Sequence, residues 1–339
     1  MTDEAEGGTL QLVFVMRDRD MKEMIGPIAM TPKSPMADRF PFIRLHRFPG
    51  PQDKFLCIYE VLAEHRHQGY IHLVDPFTKD RFGDPRPIGG RDEDVRISNV
   101  RVLPGGESMA IVYSAYDKAL PGGKGGIYKG SRYVIIDRDG DQIYRGRPGY
   151  RSEEEPMMMT ADFDVLPDGQ WLILRDYRNQ LSIRAMDPYG VWTALPKPVP
   201  GAGARKPASI ETLARDRLLI GFDHGYFAGD HAIFHTASNR IDAIPHPSHE
   251  ILNFSHVMRL SDDRLMFLYI YGKGREENVL QAQITNFAGR VVKPPQDLML
   301  CGSWQVASAH PWGKPSEIIL FVPDALAKTG KFRYLSITE

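Results

Sequence analysis

Ser98-Asn99-Val100-Arg101-Val102-Leu103-Pro104-Gly105-Gly106-Glu107-Ser108-Met109-Ala110-Ile111-Val112-Tyr113 is the stretch that decides the fold. Val100, Val102 and Leu103 stand before a Pro-Gly-Gly turn, and Met109, Ile111 and Tyr113 alternate after it. Alternation at every second residue is the signature of a half-buried strand. Adjacent glycines supply the positive φ that a tight hairpin turn demands. The phrase returns at 161–175 around Pro167-Asp168-Gly169, at 208–221 around Arg215-Asp216-Arg217, and at 255–269 around Asp262-Asp263-Arg264. The last two turns lack glycine, so their geometry must differ. Looser copies occupy 42–59 and 303–322, and the well-defined copies are spaced 47 to 63 residues apart.

A strand-turn-strand unit repeating at this interval predicts an all-β chain, a β-propeller of four-stranded antiparallel blades. A third strand follows each hairpin, at 70–74, 133–137, 181–186, 232–236 and 279–285, and a more polar fourth strand leads out, as at 191–195 and 290–293. Six blades are expected in one domain, over 40–90, 96–150, 158–200, 206–248, 253–297 and 302–339. The last is a strand short, since 332–337 reads as its third. The segment 9–16, Thr-Leu-Gln-Leu-Val-Phe-Val-Met, is expected to supply the missing strand and close the ring, which would remove an exposed sheet edge. Residues 17–38 read as an irregular connector with a helical turn at 20–24; if strands hide there, seven blades are the alternative. The glycine-rich stretch 115–132 reads as a loop on one face.

Composition narrows the function classes. Lys and Arg number 42 against 43 Asp and Glu, and the net charge of −1 leaves no electrostatic footprint for nucleic acid. No stretch approaches the length of a membrane span. The start, Met-Thr-Asp-Glu-Ala-Glu-Gly-Gly, is acidic where a secretory signal is basic and then apolar. The expected location is therefore cytoplasmic, or a virion if the chain is phage-encoded. Cys57 and Cys301 lie in or beside apolar strand segments and read as two reduced structural thiols.

In a propeller, the loops after the second strands and the starts of the first strands gather on one face. The residues arriving there are polar for strand ends. Candidate ligand-binding residues are Glu60, His65, His67, Asp117, Asp176, Tyr177, Asp223, His224, Tyr226, Tyr271 and Trp304. Arg66, Arg96, Asn99, Tyr116, Asp162 and His256 join them there. Loop tips are polar in any soluble protein, and that plain explanation applies to each residue taken singly. Asp176 and Asp223 occupy equivalent places in successive repeats, just past an apolar strand, and are the candidates for carboxylate chemistry. His65-x-His67 puts two rings on one side of a strand, but no set of ligand types recurs at a metal-binding spacing. No metal or other cofactor is expected. Gly122-Gly123-Lys124-Gly125-Gly126 lacks the flanking strand, helix and Lys-Ser/Thr pair of a phosphate loop.

The turn Asp187-Pro188-Tyr189-Gly190-Val191-Trp192 resembles the Ser-x-Asp-x-Gly-x-x-Trp turns of sialidase-type propellers, with Ala185 where that family has serine. The resemblance is at the level of fold. It implies glycoside hydrolysis through paired carboxylates on the polar face as one reading, and none of the family's catalytic residues maps onto this chain. The leading expectation is instead a non-enzymatic recognition or assembly module. Its partner would be a protein or a glycan, and it could serve as a structural subunit of a larger assembly such as a phage virion or attachment apparatus.

Overall fold

The computed structural model describes residues 9–10, 13–17, 22–29, 34–35, 39–48, 54–63, 66–74, 84–90, 93–117, 127–148, 159–177, 180–200, 206–223, 231–245, 251–261, 263–272, 278–301, 308–312, 314–324 and 329–336. Every regular element among them is a β-strand. Two small sheets come first: β1 (Thr9–Leu10) pairs with β4 (Ser34–Pro35), and β2 (Val13–Arg17) with β3 (Glu23–Ala29).

Five four-stranded blades follow, each strand lying beside the next in sequence. The first holds β5 (Arg39–Phe48), β6 (Lys54–Ala63), β7 (Arg66–Val74) and β8 (Arg86–Ile88). The second holds β9 (Glu93–Val102), β10 (Ser108–Asp117), β11 (Tyr128–Asp137) and β12 (Gln142–Gly146). The third holds β13 (Met159–Val165), β14 (Trp171–Tyr177), β15 (Gln180–Met186) and β16 (Lys197–Pro198). The fourth holds β17 (Lys206–Ala214), β18 (Arg217–Asp223), β19 (His231–His235) and β20 (Arg240–Ala243). The fifth holds β21 (Ile251–Arg259), β22 (Arg264–Gly272), β23 (Asn278–Asn286) and β24 (Val291–Cys301). A last sheet has three strands, β25 (Ser308–Trp312), β26 (Lys314–Asp324) and β27 (Thr329–Ser336).

Among the described residues the structure thus shows five four-stranded blades, correcting the expected six. It also corrects the expected closure of the ring by the N-terminal strand. Val13–Arg17 pairs with Glu23–Ala29, through partners such as Phe14 and Ile28, while Thr329–Ser336 pairs with β26. A strand a few residues away in sequence is reached at far smaller entropic cost than one three hundred residues away. Phe14 then packs with Phe55, Cys57, Tyr59 and Val74 of the first blade. Strands do lie within 17–38, as the seven-blade alternative required, but they form two-stranded sheets and add no blade. Glu23 and Met24, expected in a helical turn, belong to β3.

The chain forms two compact units, one of Met1–Arg175 and Arg184–Leu195, the other of Asp176–Ile183 and Pro196–Glu339. In the first unit, β10 shows why the phrase at 98–113 is so apolar. Met109, Ile111 and Tyr113 face the first blade and pack with Leu56, Ile58 and Ile71. Ala110 and Val112, on the opposite face, pack with Phe163, Trp171 and Ile173 of the third blade. A strand sandwiched between two blades must be apolar on both faces. The second unit repeats the arrangement: Leu219 and Ile233 of the fourth blade pack with Leu265, Phe267 and Tyr269 of the fifth, and Met266, Leu268 and Ile270 fill the fifth blade's other face.

One turn recurs between third and fourth strands. Asp137, Asp187 and Asn286 each accept hydrogen bonds on a side-chain oxygen from the backbone N–H groups two and four residues on, at 2.8 to 3.0 Å. A glycine three residues on, Gly140, Gly190 or Gly289, closes the turn at φ +74°, +87° and +75°. In the fourth blade Asn239 takes the glycine's place at φ +53°, the left-handed conformation asparagine tolerates best among non-glycine residues. Asp187, on which the sialidase resemblance rested, is therefore a turn-forming residue common to several blades.

Candidate functional site

A cluster of polar side chains lies at one end of the first two blades, where β6 and β10 finish and β7, β9 and β11 begin. Strand geometry explains how Glu60 comes to be there. Leu56, Ile58 and Glu60 share one face of β6, and that face meets the second blade. Gly69 stands directly opposite Glu60 on β7, and Val95, Ile88 and Ile97 close over it, 3.2 to 3.3 Å from where a Cβ would sit, so the second blade packs directly onto this position. His67 stands opposite Leu62 on the same face. The Glu60 carboxylate is hydrogen-bonded to His67 Nδ1 and accepts the Ile97 backbone N–H at 2.7 Å. It therefore ties β6 and β7 to β9, the first strand of the next blade. Glu60 is only 3% exposed. Burial pushes its carboxyl above the usual carboxylate range, against the opposing pull of His67 and the Ile97 N–H.

Around this tie the charges are paired off. Asp94, also buried, accepts the His67 backbone N–H on Oδ1 at 3.3 Å. Its Oδ2 is buried without a described hydrogen-bond donor. Glu93 accepts from Arg132, from Arg145 Nη2 at 3.1 Å, and from the Gly90 backbone N–H at 2.8 Å. Arg145 Nη2 also donates to Tyr113 Oη at 2.9 Å, and Arg66 donates to the Glu93 carbonyl oxygen at 3.4 Å. Asp117 pairs with Lys129 at 2.9 Å.

Arg96 differs from these. Its Nε lies 3.8 Å from Asp94 Oδ1, beyond hydrogen-bonding distance, and 45% of its side chain is exposed. The guanidinium lies over the Tyr116 ring, 4.5 Å from its centroid, and Tyr116 in turn touches Tyr128, with ring centroids 5.2 Å apart. Register produces this ledge. Tyr116 stands opposite Asp94 on β9 and opposite Tyr128 on β11, which leaves Arg96 diagonal to Tyr116. A second polar tie joins the first strands of the second and third blades: Asn99 donates to Asp162, and Arg101 Nε donates to Asp164 at 3.1 Å.

Of the residues expected at a site, the structure brings Glu60 and His67 into direct contact and places Asp117 at the same end. Tyr271 belongs to the fifth blade. Its hydroxyl donates to Asp297, which also accepts from Gln281 at 3.0 Å, so Tyr271 fastens three strands of its own sheet. Asp176 and Tyr177 fall in β14 and Asp223 ends β18 opposite Lys206; only their backbone is described. His65, His224, Tyr226 and Trp304 lie outside the described residues. Sequence reasoning missed Glu93, Asp94, Arg132 and Arg145. The usable signal was Glu93-Asp94 beginning a strand otherwise continuous with the repeat. Among the described residues, no three His, Cys, Asp or Glu side chains gather as a metal site requires.

No family model matches the chain, and no curated protein matches it. Solved structures do. Prolyl oligopeptidase B from Galerina marginata, bound to a 35mer hydrolysis and macrocyclization substrate, aligns with a TM-score of 0.54 at 12% identity, over 89% of this chain and 40% of that one. The Dos1 propeller aligns with a TM-score of 0.50 at 9% identity, over 96% of this chain and 73% of that one. A puromycin hydrolase aligns with a TM-score of 0.44 at 16% identity, over 79% of this chain and 40% of that one. This chain spans less than half the length of the prolyl oligopeptidase B structure, of that puromycin hydrolase structure and of a second puromycin hydrolase structure, of which 46% is covered. At these identities the likeness is one of fold, and the fold is that of a β-propeller.

Proposed function

We propose that the chain is a recognition module that binds a protein segment at the loop end of its first two blades. The observation that carries this reading is the contrast within the cluster. Its described carboxylates are held by internal partners: Glu60 by His67 and the Ile97 N–H, Glu93 by Arg132 and Arg145, Asp94 by the His67 N–H, and Asp117 by Lys129. Arg96, laid on Tyr116, faces outward. Carboxylates fixed in this way make a rigid platform, whereas general acid–base chemistry needs carboxyls that reach a substrate. A planar guanidinium stacked on tyrosine is a common kind of binding anchor, because little side-chain entropy is left to lose. Fold-level analogy points the same way, since prolyl oligopeptidase B, to which the chain is similar in fold, is bound to a 35mer hydrolysis and macrocyclization substrate.

The test is a labelled sample of the whole chain applied to a peptide array and to a glycan array, beside the Tyr116→Ala variant. Retention on peptides, reduced about tenfold or more by Tyr116→Ala, is the expected result. Retention on glycans alone, or peptide retention that Tyr116→Ala leaves intact, would overturn the reading.

A further inference from the structure

We infer that the ledge formed by Arg96 and Tyr116 takes a carboxylate, and that the segment it binds is a peptide carrying a single acidic side chain beside an apolar or aromatic residue. The inference rests on the recognition reading above and names the chemistry of its ligand. Arg96 presents a planar fork of N–H donors that fits a carboxylate through two parallel hydrogen bonds. Its nearest described carboxylate oxygen, on Asp94, is 3.8 Å away and belongs to a buried group. The fork is therefore oriented from within without being consumed. The guanidinium carbon sits over the Tyr116 ring, and Tyr128, against Tyr116, extends the aromatic surface.

Charge selects the ligand. Arg66, Arg96, Arg132, Arg145 and Lys129 stand here with Glu60, Glu93, Asp94 and Asp117. Among the described residues, with His67 counted as neutral, the excess is one positive charge. A monoanion completes that balance, while a phosphate dianion would meet four carboxylates with a surplus of only one cation. The tyrosine rings beside the fork suit an apolar or aromatic neighbour of the acidic residue.

The probe is a fluorescent eight-residue peptide with one central Asp-Phe pair flanked by glycine and serine. It is compared by anisotropy with counterparts bearing Asn-Phe or phosphoserine-Phe, and with inorganic phosphate as competitor. The protein is used as the full chain, wild type and as Arg96→Ala, Arg96→Lys and Tyr116→Ala, each checked for an unchanged melting curve. The expected result is that the Asp-Phe peptide binds about tenfold or more tightly than its Asn-Phe counterpart. Arg96→Ala should abolish that preference and Arg96→Lys should keep part of it. Equal binding of Asp-Phe and Asn-Phe peptides, or an acid preference that survives Arg96→Ala, overturns the inference while the recognition reading stands if Tyr116→Ala still weakens binding. Tighter binding of the phosphoserine peptide, or displacement by phosphate alone, overturns the carboxylate assignment. Binding of none of the peptides by the wild type overturns this inference, and no peptide retained on the array by the wild type overturns the reading beneath it.

Discussion

Replacing Glu60 tests whether the buried carboxylate is a tie between blades. In Glu60→Ala the Ile97 N–H loses an acceptor 2.7 Å away, and the His67 ring loses the carboxylate on its Nδ1. A buried donor left unpaired costs about 1–3 kcal/mol, and hydrogen bonds to charged groups lie at the upper end. The His67 side chain keeps 17% of its exposure, so water recovers part of its loss. About 3 kcal/mol in all is the expected cost. For 339 residues, at about 2.1 cal/mol/K of unfolding entropy per residue, that corresponds to a melting temperature lower by about 4 °C. Glu60→Gln keeps an acceptor for Ile97 and removes the charge whose burial raises the carboxyl, so it should cost far less. The pH dependence has a definite sign. A carboxyl whose affinity for its proton rises on folding stabilises the fold fully below its unfolded value, near 4.5, and that contribution fades as pH rises through the folded value. The stability of the wild type relative to Glu60→Gln should therefore fall on going from pH 4.5 upward. Differential scanning fluorimetry of the three proteins at several pH values measures all of this. A Glu60→Ala melting temperature within about 1 °C of wild type, or a Glu60→Gln variant as unstable as Glu60→Ala, would refute the reasoning.

Three further outcomes follow from local geometry. Gly146→Ala would put a Cβ 2.4 Å from the hydroxyl oxygen of Tyr133 and 2.5 Å from its ring, and Tyr133 is buried; the crowding should cost about 1–3 kcal/mol in a urea melt, and an unchanged midpoint would show that the ring moves freely. Burial pushes the Cys57 thiol up to about 12, so peptide mapping after treatment with an alkylating reagent at pH 8 should find Cys57 unmodified in the native protein and modified in denaturant. Asn239→Ala should lose about 1 kcal/mol because alanine resists the left-handed backbone, whereas Asn239→Gly should stay close to wild type in the same melt.

The repeat was legible because its physics is local. Strand alternation and Pro-Gly-Gly or Pro-Asp-Gly turns placed β9–β10 and β13–β14, and glycine-free turns still yielded β17–β18 and β21–β22. What the repeat could not decide was pairing between distant segments. The 9–16 segment has the apolar alternation of a strand, but alternation says only that one face is buried, not against which neighbour. Its hairpin partner at Glu23–Ala29 contains Gly26 and Pro27, which read as a break, yet at the edge of a two-stranded sheet both are tolerated.

The polar cluster was half legible for a related reason. Glu60 and His67 stand out in the sequence as polar residues at strand ends, on the face where the loops after the second strands gather, but nothing in the sequence gives the polar residues around them a fixed partner. Two facts of register convert that polarity into a site. Gly69 opposite Glu60 lets Val95 and Ile97 of the second blade pack close against β7, and that brings the Ile97 backbone N–H within reach of the carboxylate. Tyr116 opposite Asp94 carries the Arg96 guanidinium over its ring, half-exposed and beyond hydrogen-bonding distance of the acid beside it. Neither could be read without knowing which strands adjoin. The buried tie and the exposed ledge also depend on each other. Glu60 and Asp94 supply the negative charge that keeps Arg96 in place, and their burial keeps them from competing with a ligand for its donors. A change at Glu60 should therefore be felt in binding at Arg96 as well as in stability, whereas Gly146→Ala should be felt in stability alone.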